Sequence, residues 1–202
     1  MQIRTPAIVI ASRLHGETAL VARFLTQEHG VIASYVAGGR GRQLRPVMIA
    51  GNLVDLSISA RSETQLPFAK VELLESRGAF LTEPLPAAAI GWVTALTAAA
   101  LPERQAYPSL YEALSGLLDA ICHAPSARGW VGALLGYETL MLREMGYGGE
   151  GARPLGELAQ LLDQMDQLAA PISNYLLADT RIDAMAARTR LREMLARIDG
   201  KN

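Results

Sequence analysis

Residues 38–45 read GGRGRQLR, so Gly38, Gly39 and Gly41 are interleaved with Arg40 and Arg42, and Arg45 follows. Glycines free the backbone and arginines put cations on it, so the chemistry on offer is anion recognition. A nucleoside-triphosphate loop would also need a lysine for the phosphates and a hydroxyl for magnesium. This stretch has neither. Two readings stay open on these residues: a solvated hairpin turn, or a mobile loop gripping a nucleic-acid backbone beside a barrel groove, where guanidinium forks bond phosphate and stack on bases. In the second reading Arg13 and Arg23, on neighbouring predicted strands, flank the same groove. Tyr35 and Phe24 are its candidate stacking platforms.

Other constellations carry less. Gly146, Gly148 and Gly151 match the G-x-G-x-x-G spacing, but a dinucleotide fingerprint follows a strand and opens a helix. Here a predicted helix precedes it, so Gly146 reads as a helix C-terminal stop. His15, His29 and His123 stand apart, and Cys122 is the single cysteine. No disulfide framework, metal site or cofactor is expected, and Cys122 reads as a small apolar filler. The carboxylates of the front half (Glu17, Glu28, Asp55, Glu63, Glu72 and Glu75) form no evident acid–base pair, and those of the rear half read as solvated helix faces. No catalytic set survives, so the expectation is a protein that is not an enzyme.

Two features of the rear half bear on partners. Arg128, just before Trp130, is the candidate cation at the mouth of an apolar groove that would take an acidic, apolar peptide tail, with Trp130 beside it. Near the C-terminus Arg181, Arg188, Arg190, Arg192, Arg197 and Lys201 outnumber Asp183, Glu193 and Asp199. The simplest account of that stretch is a solvated helix with cations near its C-terminal end, where the helix dipole favours them; contact with DNA or an acidic peptide is the alternative.

These residues need elements to position them. Half of the 202 residues are apolar and 19% are charged, which suits a folded chain with a real core. Residues 1–80 carry nine Lys/Arg against six Asp/Glu, net +3, and residues 81–202 carry ten against fourteen, net −4. A basic front and an acidic rear suggest two modules with different partners. The front holds five short β-rich runs: PAIVIAS, TALVARFLT, VIASYVA, NLVDLSISA and PFAKVELLE. In the fourth, Val54, Leu56 and Ile58 face one way and Leu53, Asp55, Ser57 and Ser59 the other. Five strands in this length point to a small closed barrel or a sandwich, with a barrel of the OB type as the leading candidate.

From Pro84 the pattern turns helical. Helices are expected over 86–100, from Pro108 through Ile121, from a Ser126 cap through Met145, from Pro154 through Leu162, and from Asn174 or Asp179 to about Ile198. The uncharged run Leu85–Leu101 is short for a membrane span and reads as a buried Ala-rich helix. The N-terminus shows no signal-peptide pattern, and together with the lone cysteine this gives a cytoplasmic expectation.

The ordered set PAIVIASRLHGETALVARFLTQEHGVIASYVAGGRG, PFAKVELLES and YETLMLREMGYG resembles the RecO family of bacterial DNA-repair and recombination-mediator proteins. The resemblance runs almost end to end, strongest over residues 6–42 and 134–148 and thin after 150. It implies an α+β chain: an N-terminal OB-fold over 1–80 and an all-helical domain over 81–202. It implies binding of single- and double-stranded DNA, strand annealing, and help in loading recombinase onto protein-coated single strands. The partners it implies are RecR and the C-terminal tail of single-strand-binding protein. Many members carry a four-cysteine zinc module after the Gly-Tyr-Gly helix end, which this sequence lacks, and their loop is usually richer in Arg and Lys. Residues and resemblance together give a non-enzymatic DNA-binding repair protein, contacting DNA through Arg13, Arg23, Tyr35, Arg40, Arg42 and Arg45. The alternative is an adaptor that binds a partner's acidic tail through its helices.

Overall fold

The computed structural model describes residues 2–60, 65–148, 156–178 and 184–199. Two compact units emerge: Met1–Thr82 with Leu101–Tyr111, and Glu83–Ala100 with Glu112–Asn202.

The first unit is a five-stranded barrel: β1 (Gln2–His15), β2 (Ala19–Thr26), β3 (Gly30–Val36), β4 (Leu53–Ser59) and β5 (Phe68–Glu75). The first strand is longer than its β-rich run because it serves two neighbours. Its front half pairs antiparallel with β4, from Gln2 opposite Ser59 to Ile8 opposite Leu53. Its rear half pairs with β2, from Ala7 opposite Thr26 to His15 opposite Ala19, with a register shift between Val9 and Ala11. Such a shift bends a strand, as closure of a small barrel requires. Strands β3 and β5 meet in parallel where Tyr35 faces Phe68, closing the order β1-β2-β3-β5-β4. The α+β class and the OB-type barrel expected from sequence are both present.

Side-chain alternation fills the barrel. Val9, Leu20, Ala22, Phe24, Ile32, Val54, Leu56, Ile58 and Val71 are among its buried core. The fourth strand turns inward the three residues its sequence alternation singled out. Phe24 is fully buried, so it is no stacking platform: as part of the Leu20–Ala22–Phe24 row it points into the barrel.

Residues 101–111 return to the barrel. The Arg104 amide donates to the Val31 carbonyl at 2.9 Å, and Glu103 bridges to Val31. Gly30 allows this approach. Its φ is +65°, and a Cβ there would lie 1.9 Å from the Gln105 carbonyl oxygen. Gly30→Ala combines a left-handed backbone penalty with a clash against fixed backbone, and is expected to cost about 3 kcal/mol. Urea unfolding with an unchanged m-value checks this; a loss below about 1 kcal/mol would show that the segment moves aside freely.

The second unit is helical. Its elements are α1 (Pro84–Ala100), α2 (Pro108–His123, whose first residues belong to the barrel unit), α3 (Val131–Glu144), α4 (Leu158–Pro171) and α5 (Ala184–Asp199). Helix α1 packs on α5, α3 on α4, and α4 on α5. The Ala-rich run is buried on most of its circumference, including Ala89, Ile90, Trp92, Val93, Leu96 and Thr97. Among the described residues no helix is long and apolar enough to cross a membrane.

Helix boundaries depart from sequence in several places, among them α4, which runs past Leu162 to Pro171. Ser126 makes no side-chain cap. The Gly129 and Trp130 amides instead donate three residues back, to Ser126 and Ala127, in a 3-10 turn, and α3 starts only at Val131. Asn174 starts no helix, because it lies in a π-helical turn (Ile172–Leu176) that continues from α4. Asp179 and Pro154 lie outside the described residues. Helix α4 opens on a reciprocal cap between Glu157 and Gln160. Gly146 does end its helix: its φ is +85°, its amide donates to Arg143, and the Tyr147 amide reaches back to Leu142 at 2.8 Å. Gly151, the last glycine of that spacing, is outside the described residues.

Candidate nucleic-acid interface

The glycine–arginine stretch follows β3 and is folded rather than loose. The Gly41 amide donates to Gly38, Arg45 to Gly41, and both Val47 and Met48 to Leu44. Val47 and Met48 are buried and Leu44 packs beside them in the barrel core. The glycines suggest mobility, but the apolar residues that follow anchor the segment as a plug at one end of the barrel. Its cations stay outside. Arg40, Arg42 and Arg45 are all exposed.

Arg40 has a defined post. Its amide donates to Thr18, and its Nη1 donates to the Glu17 carbonyl at 2.6 Å and the Gly16 carbonyl at 3.5 Å. These carbonyls belong to the β1–β2 turn, so the guanidinium is oriented but its charge is not neutralised. Among the described residues no carboxylate pairs with Arg13, Arg40, Arg42 or Arg45. Arg40 and Arg45 border a groove of about 690 Å³ whose wall includes Ser12, Leu14, Leu20 and Met48. Leu14 is 69% exposed there, an apolar surface beside two unpaired cations.

The outside of the barrel adds a second feature. Arg13 stands opposite Val21, Val21 opposite Tyr35, and Tyr35 opposite Phe68, so one cross-strand row spans four strands. Residues directly opposite one another share a face. The Tyr35 ring meets His15 at 5.7 Å between centroids and Phe68 at 5.1 Å, both edge to face. Phe68 is 59% exposed. Tyr35 and Arg13 thus share one face of the sheet, with β2 between them. His15 and Phe68 were missed as partners, because only the strand register reveals them.

Arg23 stands apart. It is half-buried, donates from Nη2 to the Leu101 carbonyl at 3.3 Å, and lies 3.8 Å from Glu103. Its charge is directed at the 101–111 segment and not at the groove with Arg40 and Arg45.

In the helical unit, Arg128 is exposed on the 3-10 turn, but Trp130 is only 2% exposed. Trp130 is therefore a core residue and offers no surface to a partner. The basic C-terminal helix is largely spoken for as well. Arg188 is buried in an ion pair with Glu138, and Arg192 makes two hydrogen bonds to Asp166. The Arg192 bond holds the Asp166 carboxyl below the usual carboxylate range. Arg190 and Arg197 remain exposed and, with Met185 and Met194, line a groove of about 800 Å³ on α5. Arg181 and Lys201 are outside the described residues. Among the described residues no three of His, Cys, Asp and Glu converge on a metal site.

An OB-type barrel with unpaired arginines at its first hairpin, continued by a helical bundle, defines a class of two-part chain. Residues 1–77 match the family described as Recombination protein O N terminal, and residues 83–151 match Recombination protein O C terminal. Proteins called DNA repair protein RecO are similar over 149 residues, 73% of this chain. That of Ruegeria sp. is 39% identical, with 61% of its own length covered, that of Rhodospirillum centenum 39% with 58%, and that of Phenylobacterium zucineum 34% with 60%. The chain belongs to the RecO family. It spans about three fifths of the length of these relatives.

Proposed function

We propose that this protein acts in DNA repair as a non-enzymatic mediator. It binds single- and double-stranded DNA, anneals strands, and helps load recombinase onto protein-coated single strands. The observation that carries this reading is the cationic groove at the barrel end, where Arg40 is oriented by carbonyls and Arg45 is exposed, neither with a carboxylate partner among the described residues. Oriented, unpaired guanidinium groups bind phosphate without reading a base, and so suit a protein that must act at any sequence. Family membership supports the repair role, with RecR and the tail of single-strand-binding protein as proposed partners.

The test is fluorescence anisotropy of labelled single-stranded and duplex oligonucleotides across a salt series. Binding should weaken linearly on a log–log plot, with a slope of about −0.7 per phosphate contact on single strands. No binding at low salt would remove the reading.

A second reading rests on the α5 groove. Two exposed arginines beside two methionines, against the single carboxylate of Glu193, suit an acidic, apolar peptide tail. This moves the tail site from Arg128 and Trp130 to α5, since Trp130 is buried. Calorimetric titration of the full chain with such a peptide, and loss of the heat in Arg190→Glu, would support it.

A further inference from the structure

We infer that the outer ring cluster of His15, Tyr35 and Phe68 is a base-stacking platform that makes this barrel distinguish single strands from duplex. The inference rests on the DNA-binding reading above and adds to it a separate site with a separate ligand: exposed nucleobases, not phosphates.

Phe68 opens β5 with more than half its surface in water, and Leu66 just before it is 41% exposed. Large apolar side chains displayed beside one another mark a surface with a ligand, whereas single ones need no explanation. The ring geometry favours planar ligands. The two contacts are edge to face, at interplanar angles of 89° and 69°, so the rings are not stacked flat on one another, and Phe68 keeps more than half of its surface free. Tyr147 and Tyr175, by contrast, lie at 8° and cover each other. The Tyr35 backbone is pinned by its amide, which donates to the Pro67 carbonyl at 2.8 Å. That bond ties β3 to the start of β5, where Phe68 lies.

Charge selects the occupant. Arg13 is exposed in the same cross-strand row as Tyr35 and Phe68 and has no carboxylate partner among the described residues, and His15, two residues further along β1, lies next to the β1–β2 turn on which Arg40 is posted. A strand whose bases stack on the rings would keep its phosphates near Arg13 and Arg40. Five-stranded barrels of this type bind oligonucleotides across their second and third strands and the adjoining loops, which is where Tyr35 and His15 lie. A duplex cannot use the platform because its bases are already stacked on one another. An apolar peptide would make no call on the flanking cations.

The experiment measures affinity of the full chain for three labelled probes: oligothymidylate, an abasic strand of equal length, and a duplex. Wild type should prefer oligothymidylate to the abasic strand by about fivefold or more, fivefold being the low end of what one stacked base contributes. Phe68→Ala should erase that preference, leave the abasic strand and duplex unchanged, and leave the salt slope unchanged. Phe68→Trp should restore it. Phe68 is exposed, so these variants should fold normally. Equal wild-type affinity for thymidylate and abasic strands, or a Phe68→Ala variant that keeps the preference or weakens all three probes alike, overturns the platform while the phosphate-binding reading stands. A wild type that binds none of the three removes both.

Discussion

Arg188→Ala is expected to destabilise the protein by about 3–5 kcal/mol, a large part of the roughly 5–15 kcal/mol that holds a domain folded. Glu138 is completely buried and Arg188 is 3% exposed. The guanidinium donates to both Glu138 oxygens, from Nε at 2.9 Å and from Nη2 at 2.7 Å, and Nη2 also donates to the Met165 carbonyl at 2.7 Å. Trp92 donates its indole N–H to Glu138 at 2.8 Å, and the Arg188 guanidinium carbon lies 6.0 Å from the Trp92 ring centroid. One ion pair thus joins α1, α3, α4 and α5. Removing the arginine leaves a carboxylate with no counter-charge in a dry site, and that penalty outweighs anything the pair itself gains. The double variant Glu138→Leu with Arg188→Met should regain part of the loss, since two apolar groups of similar size need no partners, while the buried Trp92 N–H loses its acceptor. Urea unfolding followed by circular dichroism reads both. A loss under about 1 kcal/mol in Arg188→Ala would mean the site is wet and the pair behaves as a surface bridge.

That ion pair also marks where the sequence stops being readable. Arg188 sits in a run of arginines that looks like a solvated helix face, and Glu138 looks like one more helical carboxylate. Nothing local distinguishes them from Arg192 and Asp166, which pair at the surface. Burial depends on which helices meet, and that depends on contacts fifty residues apart in the chain. The barrel was legible for the opposite reason. Alternation such as Val54, Leu56 and Ile58 is a local signal with a period of two, and it names the inward face directly. Gly146 was legible because a helix stop is also local. Phe24 and Trp130 were misread for want of a facing signal. An aromatic residue serves equally as a platform or as core, and only its row or its neighbours decide. Tyr35 and Phe24 lie on adjacent strands, one turned out and one turned in. The return of residues 101–111 to the barrel had no sequence signal beyond Gly30, whose need for a missing Cβ is visible only once Gln105 is in place.

The arginines of the glycine-rich stretch should set the electrostatic part of DNA binding. In the triple variant Arg40→Ala, Arg42→Ala, Arg45→Ala the log–log salt dependence for single strands should flatten by about 2 units, at roughly 0.7 per phosphate contact. The structure sharpens this expectation. Arg40 uses only Nη1 on the Gly16 and Glu17 carbonyls, which leaves donors on Nε and Nη2 for phosphate, and Arg42 and Arg45 are exposed. Neutral carbonyls cannot cancel the Arg40 charge, so all three cations remain available for counterion release. Folding should survive, because the apolar anchors of the segment, Leu44, Val47 and Met48, are untouched. A matching triple lysine variant separates charge from shape. It should keep the salt slope, since three cations remain, yet bind more weakly, since lysine lacks the planar fork and cannot replace the Arg40 bonds to the turn. Affinity across a salt series for wild type and both variants, with circular dichroism as the folding control, decides the matter. A folded alanine variant with the wild-type slope would reduce this stretch to a solvated plug at the end of the barrel, and the phosphate contacts would then have to be sought at Arg13 and elsewhere on its outer face.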